Sequence, residues 1–170
     1  MDKKALKKEL ENSFKAILVD LEGISNESFY QNKGSKWSAA QNLAQLTLSA
    51  KIFRRAPTAP KWALVFRFGL NFQKQWDLNL IRKTYNEATF PVTAGFEPQM
   101  SSDTSLEYEK EQFIKQNKAI LENLDSWSKW RINLFKLPQL VLGKLSVREM
   151  SLFFSFHIKH HHKAIRLALA

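Results

Sequence analysis

Apolar residues recur at steps of three and four along four long stretches of the chain, with polar or charged residues between them, the pattern of amphipathic helices. In the first stretch, residues 2–22, Leu6, Leu10, Phe14, Ile17, Leu18 and Leu21 form the stripe and Gly23 ends it. A polar loop with Asn26, Asn32 and Gly34 is expected over 24–35. The second stretch opens at Trp37-Ser38. Ser38 and Gln41 have the spacing of a capping box, in which each side chain accepts from a backbone N–H that the first helical turn leaves unpaired. Leu43, Leu46, Ala50 and Phe53 give its stripe, Gln45 sits beside Leu46, and Pro57 and Pro60 end it at about Ala56. Thr104 and Glu107 predict a third start, followed by Leu106, Phe113, Asn117, Ile120, Leu124 and Trp127. The last stretch begins at Ser146 and Glu149, again a capping box, and carries Val147, Met150, Phe154, His157, His161, Ile165 and Ala168.

The connections are uneven. Residues 61–85 keep a helical period with a break near Gly69, which predicts one or two shorter helices. Residues 90–102, with Pro91, Gly95 and Pro98, have no period and are expected to form a loop, and 128–145 are expected to be an irregular connection. No alternating strand pattern of any length is present. The expected fold class is therefore all-α. It is a single domain over 1–170, a four-helix bundle with a long crossover connection and extra short helices between the second and third long helices.

Composition narrows the chemistry. At 170 residues and 44% hydrophobic content the chain can bury a sizeable core. It has no cysteine, so disulfides, thiolate ligands and cysteine nucleophiles are excluded, and any metal must sit on nitrogen or oxygen. No apolar leader and no run of eighteen apolar residues is present, which predicts a cytoplasmic protein with no membrane association. The net charge of +10 is zoned: residues 51–83 hold eight basic and one acidic residue, and 129–166 the same, while 97–125 hold seven acidic and three basic. In the first basic zone Trp62, Phe66, Phe68, Phe72 and Trp76 alternate with Lys61, Arg67, Lys74, Arg82 and Lys83. Such a mixture suits single-stranded nucleic acid or a membrane surface. Without a recognition-helix, OB or RRM signature the better reading is that these aromatics cap the open end of the bundle or form a subunit contact. A homodimer is expected and nucleic acid is not.

The candidate chemistry lies in the last stretch, which holds all four histidines. His157 and His161 are one turn apart on the apolar stripe, and side chains four residues apart on a helix have Cβ atoms roughly 5–6 Å apart, close enough to chelate one metal ion. His160 and His162 are rotated from His157 by about 60° and 140° and belong at the rim or in solvent. The alternative is a pair of interior histidines satisfied by hydrogen bonds.

Two motifs add a resemblance. Trp37-Ser38 opening the second helix, and Gly143-Lys144-Leu145-Ser146-Val147-Arg148-Glu149 leading to His157-Ile158-Lys159-His160-His161, resemble the DinB/YfiT-like superfamily of four-helix-bundle metalloenzymes over nearly the whole chain. In that family one histidine of the second helix and two of the last bind a divalent metal used in thiol-dependent transferase or isomerase chemistry. The resemblance implies a metal site at Gln45, His157 and His161. The family's first histidine falls eight residues after Trp37, and that position here is Gln45. An amide carbonyl is a weaker donor than imidazole for Zn²⁺ or Ni²⁺, so the metal is expected to be weakly bound or absent. By resemblance, then, the chain is expected to be a metal-dependent hydrolase or thiol-dependent transferase acting on a small-molecule or thiol substrate. The other expectation is a non-catalytic binding module that has lost its metal.

Overall fold

Each predicted stripe lies on a long helix of the computed structural model, which describes residues 1–34, 36–55, 58–88 and 104–170. These are α1 (Lys3–Asp20), α3 (Ala39–Arg55), α6 (Leu106–Ser126) and α8 (Val147–Leu169). Between them come α2 (Asn26–Tyr30), α4 (Lys61–Phe68), α5 (Leu78–Glu87), α7 (Arg131–Leu134) and a hairpin of β1 (Lys136–Gln139) and β2 (Gly143–Ser146). The protein is mostly helical, as expected.

α3 packs on both α6 and α8, and α1 packs on the same two helices. The apolar stripes therefore face one another, and a phenylalanine from each long helix meets at the centre. Phe14 lies edge-on to Phe113 at 6.0 Å between ring centroids, and Phe154 lies 6.2 Å from Phe14 and 5.4 Å from Phe53. Burying each such side chain is worth about 1.5–3 kcal/mol.

Of the three capping boxes expected from sequence, two form and one is displaced. At Ser38 both arms of the box form, Gln41 N–H donating to Ser38 Oγ at 3.1 Å and Ser38 N–H to Gln41 Oε1 at 2.9 Å. At Ser146 the same exchange occurs with Glu149, at 3.1 and 2.7 Å. The third start differs from expectation. Ser105, not Thr104, caps α6 by accepting from Tyr108 N–H at 3.2 Å. Thr104 is instead engaged by Tyr30, whose hydroxyl donates to the Thr104 carbonyl at 2.6 Å.

Two connections carry more structure than their composition suggests. The polar stretch after Gly23 contains α2, capped by Ser25 and anchored by the fully buried Phe29. The connection before α8 contains α7 and the antiparallel hairpin, in register from Lys136 opposite Ser146 to Gln139 opposite Gly143. Pro138 is tolerated because a two-stranded ribbon leaves one edge of each strand unpaired. Gly143 has φ +78°, a left-handed conformation that glycine adopts without a Cβ clash. The loop predicted over 90–102 lies outside the described residues.

The insert breaks at Gly69 as predicted, with α4 before it and α5 after it. Its aromatics divide: Phe68 and Trp76 are half-buried against the core, whereas Trp62, Phe66 and Phe72 are 76%, 92% and 83% exposed and do not cap it. Leu64 and Ile81 bury the insert's apolar side in the core, and the start of α8 adds polar ties. Trp76 N–H donates to Glu149 Oε1 at 2.6 Å, and Ser146 Oγ donates to Gln75 Oε1 at 2.7 Å. Among the described residues no helix is long and apolar enough to cross a membrane.

Candidate functional site

α3 and α8 run antiparallel, as their contacts show in sequence. Asn42 meets His161, Ser49 meets His157, and Phe53 meets Phe154. Between them opens a cavity of about 890 Å³, within the range of small-molecule sites. Gln45, His157 and His161 all line it, so the three residues singled out from sequence share one pocket. The two rings stand at 75° to each other with centroids 4.6 Å apart. His160 is exposed at the cavity wall, whereas His162 points elsewhere and bonds Asp20 Oδ2 at 2.7 Å.

Protonation states follow from the partners. Asn42 Nδ2 donates to the Ser38 carbonyl at 2.9 Å, which turns Asn42 Oδ1, an acceptor, toward His161 Nδ1 at 2.9 Å. His161 therefore carries its proton on Nδ1 and keeps a lone pair on Nε2. Such an outer hydrogen bond is what orients an imidazole that serves as a ligand or acceptor. Sequence reasoning does not single out Asn42 as a site residue; its position one turn before Gln45, on the inward side of α3, is the signal that marks it. Trp37 completes the support by stacking on His161 at 6.2 Å and 19°.

His157 is less well served. Its Nε2 lies 3.3 Å from Ser49 Oγ, while its Nδ1 is buried without a hydrogen-bond partner among the described residues. Gln45 Oε1 is likewise buried and unpartnered. Burial, then the nearby His161 and His160 rings, pushes the His157 pKa down to about 3, and burial followed by His160 pushes His161 down to about 4. Both rings are neutral near pH 7, the form that binds metal or accepts a hydrogen bond.

These facts bound the chemistry. A serine nucleophile activated by His157 is disfavoured, because no carboxylate among the described residues orients the ring and a base of such low pKa takes a proton poorly. Among the described residues no group of three His, Cys, Asp or Glu could hold a metal ion. A third protein ligand would have to be the Gln45 amide, and its unpartnered Oε1 has the donor chemistry for it. With His157 Nε2–H donating to Ser49, His157 Nδ1 would supply a second lone pair and His161 Nε2 a third. By chemical type, two neutral imidazoles and one amide carbonyl make a weak donor set for a divalent ion.

The fold is similar to that of a structural-genomics protein from Streptococcus pneumoniae, solved by crystallography. The TM-score is 0.62 at 17% identity, covering 98% of this chain and 90% of that one. At this identity the likeness concerns the fold alone. No protein-family model matches the chain, and no curated protein matches it. The fold and site together define a mostly helical protein with a ligand-sized cavity floored by two neutral histidines.

Proposed function

We propose that this chain is a DinB-like four-helix bundle whose cavity holds a divalent metal, zinc or nickel, on His157, His161 and Gln45, and that it works as a metal-dependent hydrolase or transferase on a small molecule. The observation that carries this reading is that Gln45, His157 and His161 line one cavity, with Gln45 Oε1 and His157 Nδ1 buried and unpartnered behind its wall. Leaving a buried polar atom unpaired costs on the order of 1–3 kcal/mol. Arg54, Gln116 and Asn117 each carry one elsewhere, but among the described residues only Gln45 and His157 bring two to one cavity, where a bound species would offset the cost. A metal ion there would act as a Lewis acid, lowering the pKa of a bound water or thiol toward neutrality. The chain's own part is to hold the ligand atoms. Asn42 fixes the His161 tautomer, Ser49 steadies His157, and apolar walls such as Phe53 and Phe153 keep bulk water away. A cytoplasmic homodimer joined through the exposed Trp62, Phe66 and Phe72 belongs to the same reading.

A second reading, a binding module that has lost its metal, is favoured by the lack of any carboxylate among the described lining residues. One experiment separates them. Protein purified without a histidine tag or nickel column is analysed for metal, and zinc affinity is measured for wild type and Gln45→His. Measurable wild-type affinity, raised at least about tenfold in the variant, is expected. A variant that binds zinc no better than wild type removes Gln45 from the site.

A further inference from the structure

The geometry points to the cavity as a binding site for an amphipathic anion, a molecule with an apolar body and one terminal acid group, seated with the acid at Lys33 and Lys36 and the body against Phe53, Met150 and Phe153. The inference rests on the reading of this cavity as the working site, but not on a metal, since the acid end is assigned to lysines rather than to imidazoles.

The wall of the cavity changes character along the antiparallel pair α3 and α8. At one end stand Ile52 and Phe53 of α3 with Met150, Phe153 and Phe154 of α8, and Tyr85 of α5 packs on Phe153 at 5.3 Å. One to two turns on come the neutral polar groups, Ser49 with His157, then Gln45, then Asn42 with His161. Beyond Asn42 the chain leaves α3 through Trp37, stacked on His161, and Lys36 and Lys33 lie on the same wall, facing the end of α8 at Ala164, Leu167 and Ala168; they are the only charged side chains among the described lining residues. Both lysines are exposed, and neither forms an ion pair among the described residues.

Charge settles the sign of the ligand. Among the described residues no Asp or Glu lines the cavity, so a ligand cation would leave water and meet two ammonium groups and no counter-charge. An acid group at the lysine end meets favourable charge while remaining partly hydrated. The apolar end then supplies affinity by area, since each buried methylene contributes about 0.8 kcal/mol.

The test is isothermal titration of the full chain, freed of metal with EDTA, using decanoate, decanol and decylamine as probes. Decanoate is expected to bind at one site, decanol about 3- to 10-fold more weakly, and decylamine weaker again by a similar factor, because two partly exposed charge interactions are worth about that much in either sign. Lys33→Ala with Lys36→Ala should bring decanoate to the decanol value and leave decanol unchanged; both residues are exposed, so the variant should fold. Ile52→Glu, at a half-exposed wall position, should weaken both probes. Equal binding of decanoate and decylamine, or decanoate binding indifferent to the two lysines, overturns the assignment. So does binding that appears only after zinc is added, which would put the acid on the metal. Decanoate binding by a chain with no zinc affinity would support this inference while removing the metal reading.

Discussion

The two ends of one stretch of α8 treat buried polar groups in opposite ways. At its first turn Glu149 is 3% exposed, and its carboxylate accepts from Ser146 N–H at 2.7 Å and from Trp76 N–H at 2.6 Å. Ser146 in turn accepts from Glu149 N–H and donates to Gln75. About two turns on, the His157 ring and the facing Gln45 are nearly as buried, yet His157 Nδ1 and Gln45 Oε1 have no partner among the described residues. Burial of a charged or polar residue therefore does not mark function in this protein. Glu149 is spent on structure, closing a helix and pinning an insert, whereas the unpaired atoms beside the cavity are the ones the proposed function assigns to a ligand.

The largest effect that could break this contrast is acid. Both rings have folded pKa values, about 3 for His157 and about 4 for His161, below the ordinary value of 6.5. Between those values the unfolded chain binds more protons than the folded one, so stability is full above pH 6.5 and is lost as pH falls toward the folded values. Each ring contributes a slope of up to about 1.4 kcal/mol per pH unit in that window. Urea denaturation of metal-free protein between pH 7.5 and 4.5 should show the loss, and His157→Phe with His161→Phe should flatten it. Parallel curves for variant and wild type would mean that the rings are hydrated and not desolvated.

Next in size is the paired end. Glu149→Ala strands two backbone N–H groups, at Ser146 and Trp76, each worth about 1–3 kcal/mol when left unsatisfied. A loss of about 2–5 kcal/mol in urea denaturation is expected, with faster proteolysis of the segment around Trp76. A loss under about 1 kcal/mol would show that the insert is held by other contacts.

How far these features could be read from the chain depends on their range. The cap of Glu149 on Ser146 is local, three residues apart, and visible as a motif; its bond to Trp76, 73 residues away, is not. The inward placement of His157 and His161 follows from helical period alone, and so does the outward placement of His160. The inward position of Asn42 is likewise local, but its partner His161 is 119 residues away and follows only from the pairing of α3 with α8. The hairpin escaped because four-residue strands, one of them bearing Pro138, are too short to show alternation. At the start of α6 two adjacent hydroxyls competed. The box spacing of Thr104 and Glu107 lost to Ser105, while a tertiary contact from Tyr30 engaged Thr104.

The smallest effect has the opposite sign and is the sharpest probe of the comparison. Gln45→Leu replaces an amide whose oxygen is buried and unpaired with an apolar side chain of similar size, on a helix that leucine favours more than glutamine only slightly. The change strands no donor at Gln45 Oε1, which has no partner among the described residues, and it removes the desolvation cost of the carbonyl. Metal-free protein should gain about 0.5–2 kcal/mol in urea denaturation, in contrast to the loss on Glu149→Ala. On the proposed metal reading the same substitution should also abolish zinc affinity, so stability and metal binding would move in opposite directions at this position. Had Gln45 Oε1 been satisfied in solution by an ordered water, the substitution would destabilise the protein by roughly the value of that hydrogen bond, about 1 kcal/mol, and the distinction between the two ends of α8 would collapse into one of hydration.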